Sequence, residues 1–383
     1  MEHTLPAAFE SFGEARRNGF LNVKQIKEQG GKVAGIFCTF TPLELLDAAG
    51  ISPVSLCGMS DETIPDAEAH MPKNLCPLIK SSYGFALSDK CPYTYFSDLI
   101  VGETTCDGKK KMYELLGNLK KVYVLKLPQG DSPDALQLWT AELQRFRTYL
   151  EETFGLSITD EALRQASRVR NEERTARCAL MELQKQVPPP AWGYDICKTM
   201  DGAGFLFDRE EVVAKLQGLR EKILLEVCTA GGSPVPAGAK RILITGCPIG
   251  GVLDKTVRII EERGGVVVCF ENCSGIKAML QQVDADAPDI MEAIAKRYLD
   301  IGCAVMSPNT NRMQLLRKLV EEYQVDGVVE IDLQACTPYT VEAYSVRKVM
   351  EQLQVPCLTL ETDYAKSDAG QLSTRLEAFL ELL

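Results

Sequence analysis

Six apolar, strand-like runs in this chain end at or beside a cysteine and lead into a turn or helix-start signal. They are GIFC at Cys38, VSLC at Cys57, DLIVGETTC at Cys106, ILITGC at Cys247, VVVCFENC at Cys273 and VVEIDLQAC at Cys336. In an open parallel α/β sheet the ends where strands pass into helices line the ligand crevice, so sulfurs far apart in sequence can meet there. A thiol at a helix N-terminus also faces unpaired backbone N–H groups and the positive end of the helix dipole, which favours the thiolate and metal binding. Cys76, Cys106, Cys247 and Cys336 fit that position best. Cys38 and Cys273 sit in equivalent strand-to-helix loops, which brings the candidate ligands to six.

The same geometry sets the other cysteines apart. Cys91 precedes a proline, but it follows the helix that Cys76 opens and precedes a strand, so it belongs at the opposite edge of the sheet; a helix climbs ~1.5 Å per residue. Cys178 and Cys228 fall within helical patterns, and Cys269 and Cys357 within buried strands, where free cysteine behaves as a small hydrophobe. Cys197 has no motif around it, and Cys57 and Cys303 stay open. Burial as core residues is the competing reading for any one strand-end cysteine, and it weakens when six such positions recur.

Fourteen cysteines in a chain with a polar start, MEHTLPAAFESFGEARR, and no apolar run near the ~20 residues of a membrane span suggest reduced thiols in the cytoplasm. The two histidines, His3 and His70, support neither a Ser-His-Asp nor a Cys-His nucleophile. A net charge of −11, with Lys109-Lys110-Lys111 as the longest basic run, argues against nucleic acid or an anionic membrane as partner and leaves a small ligand or a protein. Zinc is disfavoured because no Cys-x-x-Cys pair occurs. Iron–sulfur clusters accept dispersed, all-thiolate ligands, and they are the favoured metal chemistry.

The elements that must position these thiols alternate. VAGIFC, SPVSLC, FSDLIVGETT and KVYVLKL read as strands, with helices opened at Thr41-Pro42-Leu43-Glu44 (a capping box closed by Gly50), at Cys76-Pro77 and at Cys106-Asp107. Residues 134–235 turn helical, broken at Pro188-Pro189-Pro190 and ended by TAGGSPVPAG. From residue 236 the opening theme returns: RILITGC, VVVCFENC, VDGVVEIDLQAC and CLTLET are strands, with VLDKTVRIIEERGG and other helices between them. The pattern predicts an α/β chain of two flavodoxin-like, doubly wound parallel-sheet domains, 1–133 and 236–383, joined by a helical insert over 134–235.

GCPIGG at 246–251 looks like a phosphate-cradling loop, but no Gly-Lys-Ser or Gly-Lys-Thr follows, so a nucleotide site of that type is absent. Its glycines are expected to let the backbone approach a bulky inorganic ligand on Cys247. Lys109 is near enough to Cys106 to offset cluster charge, against a solvated helix start as the plainer reading. Glu103, Glu271, Asp332 and Glu361 lie at strand ends as candidate proton donors, with capping roles as the plainer alternative.

At Cys76-Pro77-Leu78-Ile79-Lys80-Ser81-Ser82-Tyr83-Gly84, GETTCDGKKKMYE, ENCSG and VDGVVEIDLQAC the chain resembles the 2-hydroxyacyl-CoA dehydratase and benzoyl-CoA reductase superfamily nearly end to end. GCPIGG and DKCPYTYFSDL resemble most its double-cubane cluster subgroup: homodimers holding two [4Fe-4S] cubanes joined by a bridging sulfide ([8Fe-9S]), with three cysteines on each cubane. The resemblance implies Cys76, Cys106 and Cys336 on one cubane. It implies Cys247, Cys273 and one more on the other, Cys38 being preferred and Cys91 or Cys303 held in reserve. It also implies a partner ATPase with its own [4Fe-4S] cluster that injects low-potential electrons for reduction of a small-molecule substrate. The alternatives are a 2-hydroxyacyl-CoA dehydratase subunit with a single [4Fe-4S] cluster, and a non-catalytic electron relay or cluster scaffold.

Overall fold

In the computed structural model, which describes residues 10–383, eight strands form two four-stranded sheets, each wholly parallel. His3 lies outside the described residues. The first sheet contains β1 (Lys32–Ile36), β2 (Ile51–Ser55), β3 (Leu99–Glu103) and β4 (Val122–Leu125) in the order β2-β1-β3-β4. The second contains β5 (Lys240–Gly246), β6 (Gly265–Phe270), β7 (Gly327–Leu333) and β8 (Cys357–Thr362) in the order β6-β5-β7-β8. The two orders are the same permutation. In each, the chain reverses direction across the sheet beside its first strand, and the crevice of a doubly wound sheet opens at that point.

Burial explains the strand sequences. All residues of β3, β6 and β7 are buried, and they read as near-continuous apolar runs because helices cover both faces of a parallel sheet. β6 is an edge strand, yet the helix Gly193–Ala203 lies so close that a side chain at Gly193 would collide with the Val267 carbonyl. Gln184 Nε2 donates to that same carbonyl at 3.3 Å, which occupies an edge that would otherwise be open to pairing.

Four long or medium helices fill the stretch between the sheets: Ala135–Phe154, Asp160–Met181, Gly193–Ala203 and Arg209–Ala230. The Asp160 helix reaches the first sheet's lobe through Arg170, whose Nη2 donates to Asp47 at 2.8 Å, and through Arg174, which pairs with Glu44. Arg177 ties it to Met200 O at 2.9 Å, and the Gly193 helix then packs on β6. This helical segment therefore bridges both lobes.

One local expectation fails. The capping box at Thr41 and Glu44 does not form: the helix Leu43–Ala48 has Pro42 at its N-cap, with no side-chain cap bond. Thr41 Oγ1 instead donates to the Glu103 carboxylate, and Glu44 is taken by Arg174 and by the Tyr298 hydroxyl at 2.8 Å. Buried tertiary partners have displaced the local ones.

Candidate functional site

Cysteines follow six strand ends within a few residues. Cys38 and Cys57 lie two residues past β1 and β2, Cys247 directly follows β5, and Cys106, Cys273 and Cys336 lie three residues past β3, β6 and β7. Cys76, Cys106 and Cys336 are the N-cap residues of the helices Pro77–Leu87, Asp107–Leu116 and Thr337–Leu353. None of the chain's described cysteines is in a disulfide.

The fold gathers the sulfurs into two groups. In one, the Cys336 thiol is hydrogen-bonded to both Cys76 and Cys247. In the other, Cys38 lies within electrostatic reach of Cys273 and Cys303. Cys57 faces both groups: it acts on Cys273, and with Cys76, Cys247 and Cys336 it acts on the buried Tyr364 hydroxyl. Each group takes one thiol from the first lobe and two from the second. The arrangement differs from the grouping by resemblance, since Cys247 stands with Cys76 and Cys336, and Cys303 stands with Cys38 and Cys273. Cys106 is half-buried at its N-cap and packs on the same apolar cluster as Cys76 and Cys247. Cys91 caps the short helix Pro92–Phe96, taking the Thr94 N–H at 3.4 Å, and so sits at the other end of β3.

Cations and donors surround the sulfurs. Lys109 Nζ donates to Phe37 O at 3.0 Å, and the groups that act on its charge are Tyr113, Cys38, Cys57 and Glu103, in place of the Cys106 that its sequence position suggested. Lys277 Nζ bonds to Tyr339 OH at 2.8 Å, and that hydroxyl lies 3.9 Å from Cys303 Sγ. The Leu333 N–H donates to Cys247 Sγ at 3.3 Å, a contact that stabilises negative charge on sulfur. Behind Lys277 lies the guanidinium of Arg312, which has no exposed surface. It binds Glu271 at 3.1 Å and Thr245 at 2.7 Å, and lies 3.5 Å from Glu330.

The thiols are costly to ionise without a bound cation. Burial pushes up Cys38, Cys247 and Cys273; hydrogen bonding to a neighbouring thiol, followed by burial, pushes up Cys76. Of the strand-end carboxyls, Glu103 is raised to about 7 by burial, against the pull of Lys109, and Asp332 is raised to about 6 by burial. Neither Asp332 oxygen has a hydrogen-bond partner among the described residues. Glu271 is likewise buried, whereas Glu361 is exposed.

This donor set fits an iron–sulfur cluster. It consists of thiols alone, flanked by buried cations that would offset an anionic core. Among the described residues no three His, Cys, Asp or Glu side chains converge tightly enough for one metal ion. Cluster ligands bind different irons and stand further apart than the ligands of a single zinc.

The glycine-rich loop works otherwise than its sequence suggests. A side chain at Gly250 would run into Met59 Sδ, and one at Gly251 into Met59 O and the Tyr364 ring. Those glycines make room for protein groups from both lobes, Met59 from the first and Tyr364 from the second, where the sequence suggests room for an inorganic ligand on Cys247. Gly246, with φ +107°, supplies the turn that carries the chain from β5 to Cys247.

A cavity of about 270 Å³ adjoins the second thiol group and is lined in part by Cys38, Cys57, Cys273 and Lys109. The same cavity is also lined by Arg170, Arg174, Arg177, Arg209 and Arg297. Sequence reasoning missed these arginines, although the first three recur at helical spacing (170, 174, 177) on one face of a helix whose apolar periodicity drew attention instead.

Comparison with known proteins adds a lineage to this geometry. A family model described as "2-hydroxyglutaryl-CoA dehydratase, D-component" matches residues 38–383. The Escherichia coli K12 protein named "Putative dehydratase subunit YjiM" is 50% identical over 381 residues, covering 99% of this chain and 98% of that protein. The (R)-phenyllactyl-CoA dehydratase beta subunit of Clostridium sporogenes is 23% identical over 370 residues, 94% of each chain. A benzoyl-CoA reductase subunit of Thauera aromatica is 30% identical over 162 residues, 40% of this chain and 41% of that one.

Proposed function

The chain belongs to the 2-hydroxyglutaryl-CoA dehydratase D-component family, in the superfamily shared with benzoyl-CoA reductase, and from that premise we propose that it is an ATP-dependent iron–sulfur reductase of the double-cubane type. The single observation that carries the reading is the number and grouping of thiols: Cys76, Cys247 and Cys336 in one group, Cys38, Cys273 and Cys303 in the other, with Cys57 facing both. One [4Fe-4S] cluster uses at most four thiolates, so a second group of three calls for a second cubane. Cys106, three residues past β3 and at the N-cap of the helix Asp107–Leu116, is the further candidate if either group exchanges a ligand.

When bound, such a cluster supplies storage and transfer of single electrons at low potential. The chain's own groups do the rest. Six thiols hold it, Lys109 and Lys277 offset its charge, and the Leu333 N–H supports the sulfur of Cys247. The chain's described residues offer no nucleotide-phosphate loop, since the glycines of 246–251 are packed against Met59 and Tyr364. In line with the family resemblance, we assign ATP hydrolysis to a separate activator with its own [4Fe-4S] cluster and the chain to a homodimer in the cytoplasm. No helix among the described residues is long and apolar enough to cross a membrane.

The names of the relatives favour a second reading, a [4Fe-4S] subunit of a 2-hydroxyacyl-CoA dehydratase that works with a non-identical partner subunit. Iron and sulfide quantitation on anoxically purified protein separates the two. About eight irons per chain supports the double cubane and about four the dehydratase subunit; none rejects both. Cys303→Ser is expected to lower the iron content and Cys91→Ser to leave it unchanged; the reverse pattern would reject the second thiol group.

A further inference from the structure

We propose that the arginine-lined part of the cavity beside Cys38 and Cys273 is a binding site for a small oxyanion, a carboxylate or phosphate of a few heavy atoms, held chiefly by Arg209 and Arg297. The charges there do not balance. Glu44, Asp47 and Glu173 engage Arg170, Arg174 and Arg177 in close buried pairs, with Arg170 Nη1 at 3.0 Å and Arg177 Nη2 at 2.7 Å from Glu173. Even with Asp201 of the same wall added, five guanidiniums face four carboxylates among the described residues.

The surplus falls on the two arginines that these pairs leave aside. Arg209 donates to Phe207 O at 3.3 Å and approaches Glu173, already held by Arg170 and Arg177, only to 3.6 Å. Its Nη2 is buried with no hydrogen-bond partner among the described residues. Arg297 donates to the carbonyls of Gln281 and Ala278 and lies over the Tyr298 ring at 4.2 Å, all of them neutral partners. Burial and, for both, the push of neighbouring arginines lower these guanidiniums to about 10, the direction expected of cations short of counter-charge. A buried cation with an unmade hydrogen bond carries a large desolvation cost, and an oxyanion removes it by accepting charge-assisted bonds.

Size sets the class of ligand. At about 270 Å³ the cavity is just under the ~300–1,000 Å³ of pockets that enclose drug-sized ligands, and part of its wall is the thiol group. The enclosed space takes a ligand of a few heavy atoms, and the nucleotide and pantetheine arm of a coenzyme A thioester would have to lie outside it. That the anion is the charged end of the substrate rests on the reductase reading above, whereas the existence of the site does not.

The test is calorimetric titration of the full chain, purified without oxygen and assayed for iron, with propionate, inorganic phosphate and coenzyme A as separate probes. Propionate or phosphate is expected to bind the unsubstituted protein, and the stronger of the two identifies the anion. Arg209→Gln is expected to weaken that binding roughly 10- to 100-fold, the worth of a charge-assisted bond, and Arg209→Lys to weaken it less. Far-UV circular dichroism checks that both variants fold, and a rise in the melting temperature of the unsubstituted protein with the same anion gives a measure free of substitution. No binding of either small anion, unchanged affinity in folded Arg209→Gln, or binding of coenzyme A with the same dependence on Arg209 would overturn the site. Binding in a chain that never acquires iron would keep the site and sink the reductase reading instead.

Discussion

Replacing Arg312 by Met is the sharpest structural test of how the crevice is held. The guanidinium has no exposed surface and joins Thr245 at the end of β5, Glu271 just past β6 and Glu330 within β7, with a further ion pair to Glu342. Removing one partner from a buried ion pair costs ~3–5 kcal/mol because the remaining charge is left unpaired. Two features here reduce that cost. Glu330 is raised to about 8 by burial, so at pH 7 it is mostly protonated and leaves little bare charge behind. Glu271 keeps Lys277 at 3.5 Å. The expected loss is therefore at the lower end, about 3 kcal/mol, still a large share of the ~5–15 kcal/mol that holds a domain together. Urea unfolding followed by hydrogen exchange at the β5 and β7 amides measures it. The double substitution Arg312→Met with Glu342→Gln removes the carboxylate that the single change leaves without a cation, and it is expected to recover about 1 kcal/mol or more relative to the single one. A single-variant loss below about 1 kcal/mol, or no recovery in the double variant, would refute the reasoning that this cluster is an electrostatic clamp.

Gly251→Ala is expected to destabilise the chain measurably in thermal melts, because the new methyl meets the Met59 carbonyl at 2.5 Å and the Tyr364 ring at 2.7 Å; Gly250→Ala meets only the flexible Met59 side chain and is expected to be tolerated. Equal effects would contradict the packed-loop description. Glu261 accepts the Gly193 N–H at 2.8 Å and the Val267 N–H at 3.2 Å, yet burial lifts its carboxyl from 4.5 to about 8. The folded chain thus binds more protons than the unfolded one between those values, so the stability linked to Glu261 is full below pH 4.5 and is lost as pH rises through 8. Comparing urea midpoints at about pH 5.5 and about pH 8.5, Glu261→Gln is expected to show a smaller decline than the unsubstituted chain, and an identical decline would refute the assignment.

The sheets were legible in the sequence because buried parallel strands are apolar throughout, and because a cysteine and a helix-start residue mark where each central strand stops. The sulfur grouping was not legible. Whether Cys247 meets Cys76 and Cys336, or meets Cys38, is decided by how two lobes dock, and no local pattern encodes that. Thr41 and Glu44 read as a capping box because sequence shows the local bond and hides the competing one, here Glu103 for the threonine and Arg174 for the glutamate. The arginines of the Asp160–Met181 helix were hidden for a related reason. They are buried on the same helix as its apolar residues, so they follow the helical periodicity while lining the cavity.

Because each sulfur group takes one cysteine from the first sheet's lobe and two from the second's, any object bonded to a whole group rivets one half of the molecule to the other. Assembly then has an order: the halves must already be seated before the last bonds can close. Stripping the rivet with a chelator would register beyond the sulfurs themselves, as faster amide exchange along the seam where the Asp160–Met181 helix meets the first lobe through Arg170 and Arg174.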